Sequence, residues 1–518
     1  MPTGVTVLLI ILGVVLVSWG FLRWLGSRKN AAGISTSVSA RAVQIGGLAT
    51  RSAARKAALR MRQVVSSKAQ KAALEQRYHM QNAAEITQTM GQMKGVFMKL
   101  GQVLSFAQES LPPEARKVMA SLQKDAPPMA FALVKEAVER ELGKTLDEAF
   151  ASFDEQPIAA ASIGQVHRAR LHAGDEVVVK VQYPGVAEAI KSDLKFTGTM
   201  VQMGAMFFRN ADAEAMVKEL AERLVDELDY VLEATNQEHF RRVWAGHPLI
   251  RIPRVHRSHS SAKVLTQDYA EGLGFDDFLA VATPDEKRLA MLVLNDFVFD
   301  SMHLFDMFNG DPHPGNYLFH ADGGVTFLDF GCVKRFSGPF MDDLRALNQA
   351  IVEEDKAKFR EALERTQIVL PGRTLADDDA WAFFEYHSRP FAKDRVFTFD
   401  KAYLEEAGKV MSLGNVRKFN LPPDLVFFNR ITFGLNAIFE KLGASENFHR
   451  FYLRYIFRDR DIPPALAQAG IALPARFLPA RAWVEVEGQD ALARNDEPHQ
   501  AGQGHDGADP EVALPADG

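Results

Sequence analysis

Residues 310–331 read GDPHPGNYLFHADGGVTFLDFG, and this stretch decides the fold. Asp311 and Asn316 stand five residues apart, and Phe327-Leu328 then run into Asp329-Phe330-Gly331. An acid beside a nucleophile, then an amide and a second acid, is the set that a phosphoryl-transfer site uses. Asp311 is the candidate base. Asn316 and Asp329 offer hard oxygen donors that suit Mg²⁺, an ion that keeps waters and substrate phosphates as its other ligands. Asp-Phe-Gly alone recurs by chance in loops. The acid–amide pair just upstream makes the combination specific.

Working outward, Val177-Val178-Val179-Lys180 reads as a strand ending in a lysine, like the V-A-I-K element of protein kinases. It follows PIAAASIGQV, residues 157–166. A kinase places a glycine-rich loop here, so that backbone N–H groups can approach the phosphates. Ala159, Ala160 and Ala161, followed by Ser162, stand where glycines are expected. Alanine does not freely take a positive φ, so the loop is expected to be stiffer and its grip on phosphate altered. The alternative is that these alanines begin a helix.

A helix is predicted over 214–237, carrying Asp226, Glu227, Asp229 and Glu233 among Leu224, Val225, Leu228, Val231 and Leu232. A kinase needs one Glu here to hold the lysine against the α- and β-phosphates. Asp229 and Glu233 share a face at i,i+4 and Glu227 lies on another, which leaves the lysine's partner open.

These elements, with KLGQ at 99–102, AAAS at 159–162, the pair Glu227 and Asp229, and DPHPGN at 311–316, resemble the UbiB (AarF, ADCK) family of atypical kinases. The likeness runs from about residue 84 to about residue 460. It implies an α+β protein-kinase-like two-lobe fold: a small β-rich N-lobe, a mainly helical C-lobe, and an N-terminal helical extension carrying the K-x-G-Q motif over the nucleotide pocket. It implies binding of ATP or ADP with Mg²⁺, ATPase rather than protein kinase activity, and support of isoprenoid-quinone biosynthesis at membranes. By that resemblance Lys99 and Gln102 point into the pocket. Lys180 is the strand lysine, Glu233 its helix partner, and Glu227 and Asp229 partner Lys99. Asn309-Gly310 depart from the residues the family usually carries before Asp311.

The termini carry opposite charge beneath a small net charge of -6. Met1 to Leu74 contain eleven Lys or Arg and no acid, whereas Glu485 to Gly518 contain nine acids and a single Arg. Val5 to Leu22 is an uncharged apolar run, near the short end of a transmembrane helix. With no positive residue before it and no A-x-A after it, it reads as an anchor rather than a cleaved signal. Arg28 and Lys29 follow it, so the positive-inside rule puts the remainder on the cytoplasmic side. The basic stretch beyond would be drawn to anionic lipid headgroups. No aromatic residues interleave with its charges, which argues against nucleic acid. The single cysteine, Cys332, excludes disulfides and reads as a small buried side chain.

The expected organisation is a transmembrane anchor at 1–27, a basic juxtamembrane segment at 28–83 and the helical extension at 84–150. The N-lobe with inserted helices follows at 151–270, the C-lobe at 271–485, and an acidic tail too polar to order itself at 486–518. Three functions fit: an ATPase coupled to quinone precursors or quinone-biosynthesis proteins, a small-molecule kinase using Asp311, or a nucleotide-sensing membrane scaffold.

Overall fold

The computed structural model describes residues 129–161, 163–194, 224–309, 312–366, 377–410 and 422–457, with a few single positions beside them. Lys99, Gln102, Ser162 and Asp311 lie outside the described residues, as do the expected anchor, nearly all of the basic segment and the acidic tail. Among the described residues no helix is long and apolar enough to cross a membrane.

The first lobe begins with α1 (Phe131–Leu142) and α2 (Leu146–Ala149). Val134, Ala137 and Val138 recur at helical spacing and are the buried face of α1, which Gly143 ends at φ 66°. Thr145 and Glu148 cap α2 reciprocally. Strands β1 (Ser152–Ala160), β2 (Gly164–Arg170) and β3 (Glu176–Gln182) follow, then α3 (Val186–Leu194) and α4 (Tyr230–Val243). After β4 (Ile250–Arg251), β5 (Val264–Asp268) completes an antiparallel sheet of order β1-β2-β3-β5. Alternation along β3 sends Val177, Val179 and Val181 into the core shared with α1. Lys180 and Gln182 therefore leave the other face, toward α4.

The second lobe is mainly helical. After α5 (Phe275–Val281) comes α6 (Pro284–Phe305), started by a Thr283–Glu286 capping box and buried along most of Ala290 to Met302. Four short strands follow: β6 (Met307–Asn309), β7 (Tyr317–Phe319), β8 (Val325–Phe327) and β9 (Val333–Arg335). The inner pair β7–β8 is antiparallel and so is the outer pair β6–β9, while β4 runs parallel to β8. The chain continues through α7 (Gly338–Val352), α8 (Lys356–Arg365), α9 (Asp377–Ser388), β10 (Phe397–Thr398), α10 (Lys401–Val410) and α11 (Pro423–Leu442). It then forms β11 (Ser445–Glu446), which pairs with β10, and α12 (Phe448–Ile456). Arg454 of α12 donates to Asp300 of α6 at 2.8 Å, and the Tyr455 hydroxyl donates to the same carboxylate at 2.5 Å.

The expected α+β organisation is present, with three local corrections. The helix expected over 214–237 is interrupted at residues 227–229, because Asp229 leaves helical geometry to cap α4. Strand structure begins at Ser152 and takes in the first part of the PIAAASIGQV segment that was expected to be a loop. Within the lobe expected to be mainly helical, the β6–β9 pair encloses the β7–β8 pair.

Candidate nucleotide site

Lys180 extends from β3 to the start of α4. Its Nζ donates to both Glu233 oxygens, at 2.8 and 3.0 Å, and lies 3.6 Å from Oδ2 of Asp329. The Tyr230 ring sits beneath the ammonium, 5.0 Å from it. The structure thus pairs Lys180 with Glu233, not with Asp229. The Asp229 carboxylate accepts from the N–H groups of Val231 and Leu232, at 2.9 and 3.3 Å. That cap sets where α4 starts, and so places Glu233 in its first turn. Glu227 is buried in the turn just before the cap.

The nested hairpins bring the second half of the site together. Pro314–Asn316 form a single 3₁₀ turn, with the His313 ring accepting from the Gly315 N–H at 3.0 Å. The Leu328 N–H donates to the Asn316 carbonyl at 3.0 Å, which sets Asn316 across the hairpin from the residue before Asp329. Oδ1 of Asp329 accepts from the Gly331 N–H at 2.9 Å, leaving Oδ2 to face Lys180. A Cβ at Gly331 would lie 3.3 Å from Glu233 Oε2, so glycine permits this close approach. Phe330 is fully buried, its ring 5.1 Å from that of Phe240.

Ala159 and Ala160 end β1, paired with Val166 and Gln165, and the Ala161 N–H donates to the Gly164 carbonyl at 2.9 Å to close the turn. The alanines therefore tip a β-hairpin and do not begin a helix. The one glycine of the segment serves packing: a Cβ at Gly164 would lie 2.2 Å from the Val181 carbonyl oxygen.

Among the described residues, Glu233 and Asp329 both face the Lys180 ammonium. Burial pushes the Glu233 carboxyl up to about 7 against the pull of Lys180, with Asp329 and Glu227 adding to the rise. Burial also works against the Lys180 ammonium, but Asp329 and Glu233 outweigh it and hold its pKa well above the ordinary lysine value. Burial raises the Tyr230 phenol as well. The partly exposed Asp329 carboxylate and the neighbouring Asn316 are hard oxygen donors of the kind a divalent cation takes.

Three contributors escaped the sequence reading. Tyr230 floors the lysine. Asn309, read only as a departure from the family pattern, donates to the Asp329 carbonyl. Asn236 donates to the Phe330 carbonyl at 3.3 Å. None has a motif, and only the spacing of Asn236 from Glu233 within α4 hinted at a shared location. Cys332 is buried, as expected for a small core side chain.

Residues 121–363 match the ABC1 atypical kinase-like domain. The chain is 31% identical over 301 residues to the atypical kinase COQ8B, mitochondrial, of Rattus norvegicus, covering 58% of this chain and 57% of that one. It is 32% identical over 301 residues to Protein Activity of bc1 Complex Kinase 7, chloroplastic, of Arabidopsis thaliana, covering 57% of this chain and 43% of that protein. The chain thus spans about half the length of these relatives. Among solved structures, the erythromycin complex of the Mycobacterium tuberculosis protein Rv3197 superposes with a TM-score of 0.54 at 29% identity, over 74% of this chain and 98% of the other. The chain thus carries an ABC1 atypical kinase-like domain, and the matched span holds Lys180, Glu233, Asn316 and Asp329.

Proposed function

We propose that this chain binds ATP or ADP with Mg²⁺ in the cleft between the two lobes and acts there as an atypical kinase-fold ATPase. The observation that carries the reading is the bridging position of Lys180, 2.8 Å from Glu233 and 3.6 Å from Asp329. Glu233 holds the ammonium where it would meet the α- and β-phosphates. Asp329 and Asn316 would hold the metal, which when bound neutralises charge on the transferring phosphoryl group. The stiff tip at Ala159–Ala161 would close over the phosphates. Asp311 would orient the attacking hydroxyl or water, and Lys99 and Gln102 would complete the pocket from the helical extension.

The further reading is service to isoprenoid-quinone biosynthesis or related lipid handling at a membrane. Residues 1–27 would be the anchor, the catalytic domain would lie on the cytoplasmic side, and anionic lipids, quinone precursors and quinone-biosynthesis proteins would be the partners. The uncharged run Val5–Leu22, followed by Arg28 and Lys29, supports the anchor. Deleting residues 1–27 should release the protein only partly, with the remainder salt-sensitive because exposed charges are screened within about 10 Å at 0.1 M. Complete release at low salt in the presence of anionic vesicles would remove the lipid role of the basic stretch.

The nucleotide reading is tested by Asp329→Asn. The Asn Oδ1 can still accept from Gly331, so the fold should persist. Thermal stabilisation by ATP in Mg²⁺, and ATP hydrolysis on anionic liposomes, should both disappear. Retention of full Mg²⁺-dependent stabilisation would overturn the metal assignment.

A further inference from the structure

Strand β2 carries two polar side chains into the core of the first lobe. Alternation turns Gln165, His167 and Ala169 toward α1, whereas Val166, which pairs with Lys180, lies on the cleft face. Gln165 is 1% exposed and His167 0%, with the Phe153 and Phe131 rings 5.3 and 6.3 Å from the imidazole. Packing alone would favour apolar residues here.

The partners of this pair fix every proton. The Met129 N–H donates to Oε1 of Gln165 at 2.8 Å, which sets the orientation of the amide. Nε2 of Gln165 then faces Nε2 of His167 at 2.8 Å and must donate, so that ring nitrogen carries no proton. Nδ1 of His167 stands 2.8 Å from the Asp154 carbonyl, an acceptor only, and is therefore the protonated one. A single tautomer and a single amide orientation satisfy the whole chain. Burial keeps the imidazole neutral by lowering its pKa below the ordinary value, against the pull of Asp154.

These contacts converge on the segment that ends in the alanine tip. Residues 154–156 of β1 stand opposite Arg168 alone, and the His167 ring takes up the Asp154 carbonyl inside that bulge. Gln165 pairs across the strands with Ala160, the last residue of β1. Met129 lies just ahead of α1, where the chain enters the lobe.

We propose that Gln165 and His167 are positioning residues for the Ala159–Ala161 tip. The relay from the Asp154 carbonyl through His167 and Gln165 to Met129 fixes the bulge in β1, sets where the tip stands against β2, and ties both to the chain entry. Its value to the reaction rests on the reading of that tip as the phosphate loop. A proton on Nε2 of His167 would meet the Gln165 amide as donor against donor. Turning the amide over mends that contact but sets its NH₂ against the Met129 N–H, so the relay holds only while His167 is neutral. The ring faces Phe131 of α1, Phe153 and Asp154 of β1 and Gln165 of its own strand, and Asp154 is the one ionisable group among them.

The relay is tested on the full chain without nucleotide, through the hydrogen-exchange protection factor of the Ala161 N–H, which closes the tip onto the Gly164 carbonyl. Gln165→Leu should lower that protection at least tenfold while the β3 amides keep the parent value. Gln165→Glu can still accept from Met129, and its carboxylate draws a proton onto Nε2 of His167. This variant should therefore hold the tip at pH 6 and release it at pH 9, where the parent holds it. If Gln165→Leu does not fold, that profile decides by itself. Parent-like protection in Gln165→Leu overturns the proposal, as does a loss spread equally over β3, or a Gln165→Glu tip protected alike at both pH values. In a second arm, Gln165→Leu should weaken ATP at least fivefold. Unchanged ATP affinity beside a loosened tip would count against the phosphate-loop reading and leave the relay standing.

Discussion

Lys180 on β3 and Glu233 on α4 lie 53 residues apart in sequence, yet the ammonium donates to both carboxylate oxygens, at 2.8 and 3.0 Å. The Glu233 side chain is 1% exposed and that of Lys180 16%, so each group depends on the other for its polar environment. Lys180→Met leaves Glu233 and Asp329 facing each other without a cation. Removing one partner of a buried pair costs about 3–5 kcal/mol. Urea unfolding at pH 8 should show a loss of that order, and a smaller one at pH 6, where Glu233 takes up a proton.

Glu233 also makes stability depend on pH. Its carboxyl titrates at about 7 in the folded chain, against 4.5 as its ordinary value. A raised folded pKa means the folded state binds the extra proton, so this contribution is complete below about 4.5 and is lost as pH rises through about 7. Glu233→Gln should flatten that portion of the profile. The difference between parent and variant unfolding free energies, followed from pH 4.5 to 8, checks it. A difference that grows in favour of the parent with rising pH would refute the direction.

Gly164→Ala tests the reason for the hairpin's glycine. A methyl group would collide with the Val181 carbonyl, which is strand backbone and cannot turn aside. Overpacking of this kind costs typically 1–3 kcal/mol. The melting temperature should fall by several degrees. An unchanged melting temperature would show that the hairpin shifts freely.

Ala161→Gly tests the phosphate-loop reading. Ala161 closes the tip through its N–H bond to Gly164, and glycine there would loosen the tip and admit closer backbone approach. The expected outcome is altered nucleotide affinity, with ATP bound more tightly, at a stability cost under about 1 kcal/mol. Ala159→Gly and Ala160→Gly, in the paired part of β1, should change affinity less. Calorimetric titration of ATP and ADP against the three variants decides between them.

Much of the cleft was legible because its chemistry is local in sequence. The apolar run before Asp329 and the valines before Lys180 each describe one strand, and local backbone rules suffice to place them. The strand lysine follows from the continuous run Val177–Val179 that leads into it. The partner of Lys180 was not legible in this way. Spacing allowed Glu227, Asp229 or Glu233, and the choice was made by the break at residues 227–229, where Asp229 spends its carboxylate on two helix N–H groups. That break depends on how the chain returns to the sheet, where the Tyr230 N–H donates to the Ala262 carbonyl, a contact no local pattern encodes. The same holds for Asn309 and Gly164. Their roles come from which distant backbone or side chain lies opposite, and that is set only when β3 meets β2 and when β6 meets β9.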